Sequence, residues 1–156
     1  MTSDSWLISS DSASLVAEIT ELNLRIFKDA AYSQATVTQL ADLWPTLVLL
    51  GKDQGQRSAG FAIGAIGQAS TGWILLLGVR EDFRQRSLGR LLMQELVQRM
   101  GQLGAASLRL TVSSDNLPAI SLYESQSFSN ELRIPNHFGD GKEKLVMSTV
   151  IENFRV

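Results

Sequence analysis

Residues Trp73-Ile74-Leu75-Leu76-Leu77-Gly78-Val79 are apolar without alternation. A strand with one wet face alternates, so this run needs cover on both faces. That requirement places it at the centre of an α/β sheet.

The rest of the chain supplies cover and partners. Leu15, Ile19, Leu22 and Ile26 recur at helical spacing behind a cap at Asp11 or Ser12. A second short helix is predicted from about Ser33 to Leu43. Leu88, Leu91, Leu92, Leu96, Met100 and Leu103 mark one face of a longer helix, with Gly101 and Gly104 near its end. Strands are predicted at Trp6–Ser9, Thr46–Leu50 and Ala59–Ile66, with turns over 51–56 and near Ser70-Thr71-Gly72. Leu108, Leu110 and Val112 alternate with Arg109 and Thr111, a strand with one drier face. Asp115 or Asn116 caps a short helix carrying Ala119, Ile120, Leu122 and Tyr123. Phe128–Ile134 and Lys144–Ile151 are strands joined through Phe138-Gly139-Asp140-Gly141. The order is β-α-α-β-β-β-α-β-α-β-β, an α/β domain with a mixed central sheet of about six or seven strands and about four helices. No repeat or linker interrupts it, so residues 1–156 read as a single domain.

Composition narrows the chemistry. The chain lacks cysteine, which removes disulfides, thiolate zinc sites and a cysteine nucleophile. His137 is the single histidine, so neither a multi-histidine metal site nor a Ser-His-Asp triad is expected, and no metal. A formal net charge of -2 gives no bulk electrostatic case for nucleic acid. No stretch approaches the roughly 20 apolar residues of a membrane span. Met1–Ser5 lacks the basic-then-apolar order of a signal peptide, so a cytoplasmic protein is expected.

Charge is unevenly spread. Arg80, Arg84, Arg86 and Arg90 cluster between the buried strand and the long helix, against Glu81 and Asp82. A helix start leaves backbone N–H groups unpaired, and its dipole attracts anions. Ser87 and Gly89 are small enough for a diphosphate to approach the main chain. Arg84, Arg86 and Arg90 are candidates for charge-assisted contacts. The alternative is a basic loop that only caps the helix. Cations are unfavourable at a helix start, and a bound anion resolves that oddity.

At this loop the sequence resembles a known family. Val79 to Leu92, with Arg84-Gln85-Arg86-Ser87-Leu88-Gly89 at its centre, looks like the acetyl-CoA motif of GNAT N-acetyltransferases. That motif runs from a valine and an aromatic through Arg/Gln-x-x-Gly-x-Gly/Ala into a leucine-rich helix. Arg84 and Gly89 match; Ser87 stands for the first glycine, and Gln85 also replaces one. Farther on, Asn116, Ala119, Leu122, Tyr123 and Phe128 fall in register with the family's second signature, with Ser127 where glycine is usual. The match covers roughly residues 58–151; the tail Leu132–Phe138 is similar to the peptide α-amine branch.

The resemblance implies a cofactor site made of Leu77, Gly78, Val79, Arg84, Gln85, Arg86, Ser87, Leu88, Gly89, Arg90, Asn116, Ala119 and Tyr123. It implies a splayed central strand, whose bulge Gly78 would suit, and a thioester carbonyl polarised by the N–H of Gly78 or Val79. It gives Tyr123 the role of general acid: a phenol near pKa about 10 protonates a thiolate whose conjugate acid lies near about 8.5. The family's strand carboxylate is missing from Leu108–Val112, leaving Glu81, Glu131 and His137 as candidate bases. His137 and Phe138 stand where the peptide branch carries two tyrosines, and Phe27 and Tyr32 are candidates for the opposite acceptor wall. The function so implied is transfer of acetyl from acetyl-CoA to a primary amine on a protein, peptide or small molecule, by a monomer or homodimer. A non-catalytic acyl-CoA sensor is the alternative.

Overall fold

The apolar run becomes β4 (Thr71–Val79), the fourth of seven strands in the order β1-β2-β3-β4-β5-β7-β6 among the described residues. The computed structural model describes residues 5–10 and 13–154. The elements are β1 (Leu7–Ser9), α1 (Ala13–Phe27), α2 (Gln34–Leu43), β2 (Val48–Lys52), β3 (Ser58–Ile66), β4, α3 (Leu88–Gln102), β5 (Ser107–Ser113), α4 (Leu117–Ser125), β6 (Ser129–Ile134) and β7 (Lys144–Val150). This is the expected order. Every neighbouring pair is antiparallel except β4 and β5. No described helix is long and apolar enough to cross a membrane.

Two buried clusters sandwich the sheet. Leu88, Leu92, Leu96 and Met100 of α3 pack with Leu49, Ala62, Ile74, Leu108 and Leu110 on one face. Leu15, Ile19 and Leu22 of α1 and Val37 of α2 pack with Val48, Leu50, Phe61 and Ile63 on the other. Full burial of a side chain of this size contributes on the order of 1.5–3 kcal/mol.

Local signals set the boundaries. Ser33 Oγ accepts the Thr36 N–H at 3.1 Å and caps α2. Asn116 Oδ1 accepts the Ala119 N–H at 3.3 Å, so Asn116 rather than Asp115 caps α4. The candidate caps of α1, Asp11 and Ser12, lie outside the described residues. Gly104, at φ 94°, closes α3: Gly104 N–H reaches Gly101 O at 3.0 Å and Ala105 N–H reaches Met100 O at 3.0 Å. The strand predicted over Thr46–Leu50 begins later, at Val48, because Pro45 opens a 3₁₀ turn through Leu47; it then runs on through Lys52. The following turn is narrower than 51–56 implies and is closed by Asp53. Its Oδ1 accepts the Arg57 N–H at 2.9 Å and its Oδ2 the Arg57 Nε–H at 2.7 Å. Those contacts, the main-chain one foremost, hold the Asp53 carboxyl below the usual carboxylate range.

Expected full cover of the apolar run fails at Leu75, Leu76 and Leu77, which are half-buried. β4 pairs with β5 only from Thr71–Ser107 to Ile74–Leu110. Beyond that point β4 keeps only β3, and β5 keeps only β7. The bulge is also displaced from Gly78. Ile63 pairs with Leu76 and Gly64 with Ile74, so Leu75 is the extra residue. Gly78 is needed for another reason: a Cβ there would lie 2.9 Å from Phe27 Cε2.

Gly60 on β3 lets the start of α3 settle on the sheet. A Cβ at Gly60 would meet the Gly78 carbonyl oxygen at 2.8 Å, with Leu88 and Leu92 behind it at 3.1 and 3.3 Å. Backbone cannot yield as a flexible side chain can. Gly60→Ala is therefore expected to destabilise the fold by about 1–3 kcal/mol, read as a Tm lowered by several degrees in thermal denaturation.

Candidate active site

The open edge of β4 faces a definite way. Arg80 N–H donates to Ala59 O at 2.8 Å, across the antiparallel pairing with β3. Gly60 and Val79 are consequently a non-hydrogen-bonded pair, and by alternation so are Ala62 and Leu77. The main-chain groups of Leu77 and Val79 therefore point away from β3, into the gap left by β5. Gly78 points its amide back to β3, so of the two candidates for polarising a carbonyl in the gap, the geometry favours Val79.

The loop leaving this edge is shaped to collect amides. A 3₁₀ turn spans Glu81–Phe83. Gln85 and Ser87 then adopt φ 61° and 68°, the left-handed region that glycine tolerates best. Arg86, between them, does not. Such alternation gathers successive N–H groups on one concave side. The first intrahelical bond of α3 is Leu91 N–H to Ser87 O at 3.1 Å. The N–H groups of Leu88, Gly89 and Arg90 thus have no acceptor within the helix, and the Ser87 side chain does not cap them. Gly89 is not required by the protein's own packing, because a Cβ there would make only an ordinary 3.6 Å contact with Val79. The space it leaves opens toward the helix start. Amides, dipole and clearance together fit a diphosphate.

The arginines divide their tasks. Arg84 Nε–H donates to Val79 O at 3.1 Å, folding the loop back on the strand edge. Arg86 lies over the rings of Trp6, at 5.1 Å, and Phe83, at 5.4 Å, so its guanidinium is placed on an aromatic pair. Arg90 is exposed in the first turn of α3.

α4 follows β5, the strand on the other side of the gap. Asn116 is spent as its cap, and Ala119 and Tyr123 pack inward. The Tyr123 ring meets Phe128 edge-on at 6.0 Å. Its hydroxyl makes no hydrogen bond among the described residues, and burial pushes the phenol above its ordinary value. Tyr123 therefore stays protonated through the neutral range, as an acid requires. Ser127, which turns the chain from α4 toward β6, is held at φ 76°.

The acceptor candidates fall on two sides. Phe27 lies on β4 at Gly78 and meets Phe61 edge-on at 6.0 Å. The Tyr32 phenol is likewise raised by burial, and Tyr32 O accepts from Asn23 Nδ2 at 2.8 Å. His137 and Phe138 sit together at the exposed tip of the β6–β7 hairpin, ring centroids 4.7 Å apart. Lys144 Nζ lies 5.7 Å from the Phe138 ring. Of the candidate bases, Glu81 is an exposed loop residue. Glu131 is committed to Arg109, whose Nε–H it accepts at 3.0 Å. Among the described residues no cluster of histidine and acids is placed to hold a metal.

Two positions escaped the sequence reading. Trp6 Nε1–H donates to Arg86 O at 3.0 Å, and fully buried Asn23 anchors the loop between α1 and α2. The first spans 80 residues and the second nine, and no local pattern announces either.

Residues 16–128 match the sequence pattern of the acetyltransferase (GNAT) family. The chain belongs to this family. Among curated proteins, this GNAT chain is 33% identical over 73 residues to the ribosomal protein bS18-alanine N-acetyltransferase of Escherichia coli, covering 46% of this chain and 49% of that one. The matched stretch is thus about half the length of that relative. Among solved structures, Ard1 from Thermoplasma volcanium superposes with a TM-score of 0.84 at 25% identity, over 93% of this chain and 97% of that one. Arabidopsis thaliana Naa50, in complex with the bisubstrate analogue CoA-Ac-MVNAL, shares the fold with a TM-score of 0.81 at 17% identity, over 93% and 98%.

The left-handed residues replace glycines of the GNAT signatures, so their strain is testable. A non-glycine residue in this region costs on the order of 1–2 kcal/mol. Glycine's larger loss of freedom on folding offsets about half of that. Ser127→Gly is expected to stabilise the protein by about 0.5–1 kcal/mol, a Tm rise of a few degrees in calorimetry.

Proposed function

We propose that this GNAT protein moves an acetyl group from acetyl-CoA to the α-amine of a peptide or protein, with both substrates bound at once. The observation that carries the reading is the continuity of an open strand edge at Leu77 and Val79 with an uncapped helix start at Leu88–Arg90. Bound acetyl-CoA would supply an activated thioester. The helix start suits its diphosphate, and the strand edge suits the amide-bearing arm as an added half-strand. In the transfer, the amine nitrogen bonds to the acyl carbon and the carbon–sulfur bond breaks. Tyr123 protonates the departing sulfur, and the amine's surplus proton leaves to water. Holding amine and thioester together contributes much of the acceleration.

The acceptor class follows from proton accounting. Thr111 occupies β5 where a carboxylate would serve as base, Glu131 is paired with Arg109, and Glu143 with Arg133. With the hairpin glutamates engaged by arginine and only exposed Glu81 and His137 left as candidate bases, the site suits an amine that is neutral unaided. At pH 7.5 roughly one lysine side chain in a thousand is neutral, against roughly a quarter to two-fifths of α-amines. The names of the E. coli relative and of the Naa50 complex point the same way.

The test offers acetyl-CoA with peptides bearing a free α-amine, and with the same peptides blocked at that amine but carrying lysine, read by thiol release. Turnover is expected only with the free α-amine; equal turnover of the blocked peptides defeats the assignment. Tyr123→Phe is expected to lower kcat by about 10²–10³-fold while leaving the CoA Kd within about twofold. The acceptor kcat/KM is expected to rise with pH and level off near the amine's own pKa, about 7.7–8.0. Because the phenol is raised from 10.0, no descending limb from Tyr123 is expected below that pH.

A further inference from the structure

We propose that Trp6 is a positioning residue for the diphosphate loop: its indole N–H fixes the Arg86–Ser87 peptide so that the Ser87 amide faces the bound anion. The inference rests on assigning that loop to the cofactor's diphosphate. Trp6 Nε1–H donates to Arg86 O at 3.0 Å. A trans peptide is planar, with its C=O and the following N–H pointing opposite ways. Drawing the Arg86 carbonyl toward Trp6 therefore turns the Ser87 N–H to the other side of the loop, where the concave run of amides lies.

The loop needs such a clamp. Gln85 and Ser87 sit at φ 61° and 68° without being glycine, and an unrestrained L-residue leaves that region. Left alone, the loop would relax and scatter its amides. Trp6 is itself held firmly enough to resist. Gln54 Nε2–H donates to Ser5 O at 2.9 Å just before it, and Leu7 pairs with Lys52 just after it. Its ring meets Phe83 edge-on at 5.9 Å. Phe83 is 2% exposed and flanked by the guanidiniums of Arg57, Arg80 and Arg86 at 4.9, 5.1 and 5.4 Å. The indole thus closes an aromatic–guanidinium stack, and its own N–H is spent on Arg86 O. Pure packing at this place would be served by phenylalanine. An indole supplies one donor more, and that donor is used on the cofactor loop.

Trp6→Phe keeps a ring on Phe83 and removes the donor. In calorimetric titration with coenzyme A, the loss of one hydrogen bond is expected to weaken Kd by roughly 3–10-fold. KM for acetyl-CoA should rise by the same factor, with kcat within about twofold and Tm within a few degrees. Hydrogen exchange at residues 84–88 should quicken. In a Ser87→Gly background, where the left-handed angle carries little strain, the same change is expected to shift Kd by no more than about twofold. An unchanged Kd and unchanged exchange in Trp6→Phe overturn the clamp. So does an equal loss in both backgrounds, or a parallel fall of kcat, Tm and affinity, since these mark packing alone. Failure of the unaltered protein to bind coenzyme A overturns the diphosphate assignment itself, a result separable from the others.

Discussion

β5 parts from β4 after the pairing of Ile74 with Leu110, and the molecule is organised around that divergence. Unpaired main-chain groups in the middle of a sheet are costly unless something pairs with them. Here β3 fixes one edge of β4 along its length, while α3 and α1 cover its faces. Gly60 and Gly78 allow α3 and α1 to approach the sheet closely. The main-chain groups of Leu77 and the Val79 N–H on that edge point away from β3, while the Val79 carbonyl is taken by Arg84. The Leu75 bulge falls just where β4 and β5 part.

Part of the backbone strain falls at the same end of the sheet. Gln85, Ser87 and Ser127 all take left-handed angles without being glycine, and all three flank the proposed cofactor cleft. Such residues persist only where their surroundings over-determine them. Arg84 folds back on Val79, Trp6 takes the Arg86 carbonyl, and Phe83 is locked beneath three arginines. The loop is held in its left-handed angles by contacts rather than by glycine's freedom.

Element order was legible because it depends on periodicity. The uninterrupted run Trp73–Val79, the alternation of Leu108, Leu110 and Val112, and the leucine stripe of α3 each fix one element by burial alone. Register was not legible, because it belongs to pairs of strands. That is why the bulge falls at Leu75 when a lone glycine suggested Gly78, and why the half-buried state of Leu75–Leu77 could not be seen in their composition. Arg86 shows a further limit. The sequence gives its charge, and only the fold reveals that the charge rests on Trp6 and Phe83. Trp6 and Asn23 act across tertiary contacts, the first over 80 residues, and no local signal marks either.

The two halves of the proposed site differ in what they are made of, and so in how far a sequence can suggest them. The cofactor half, as proposed, consists of main-chain amides, a strand edge and a helix start. Such groups are present whatever the side chains, provided the angles are kept, so Ser87 and Gln85 can replace glycines without changing what the loop offers. The acceptor half consists of side chains on two separate segments, Phe27 and Tyr32 on one and His137 and Phe138 on the other. Each substitution there changes the surface a substrate meets. With Glu131 and Glu143 both engaged by arginine, neither hairpin glutamate is free to take the amine's proton. On the proposed reading, an acceptor that is neutral unaided lightens that task, and its own pKa becomes part of the selectivity.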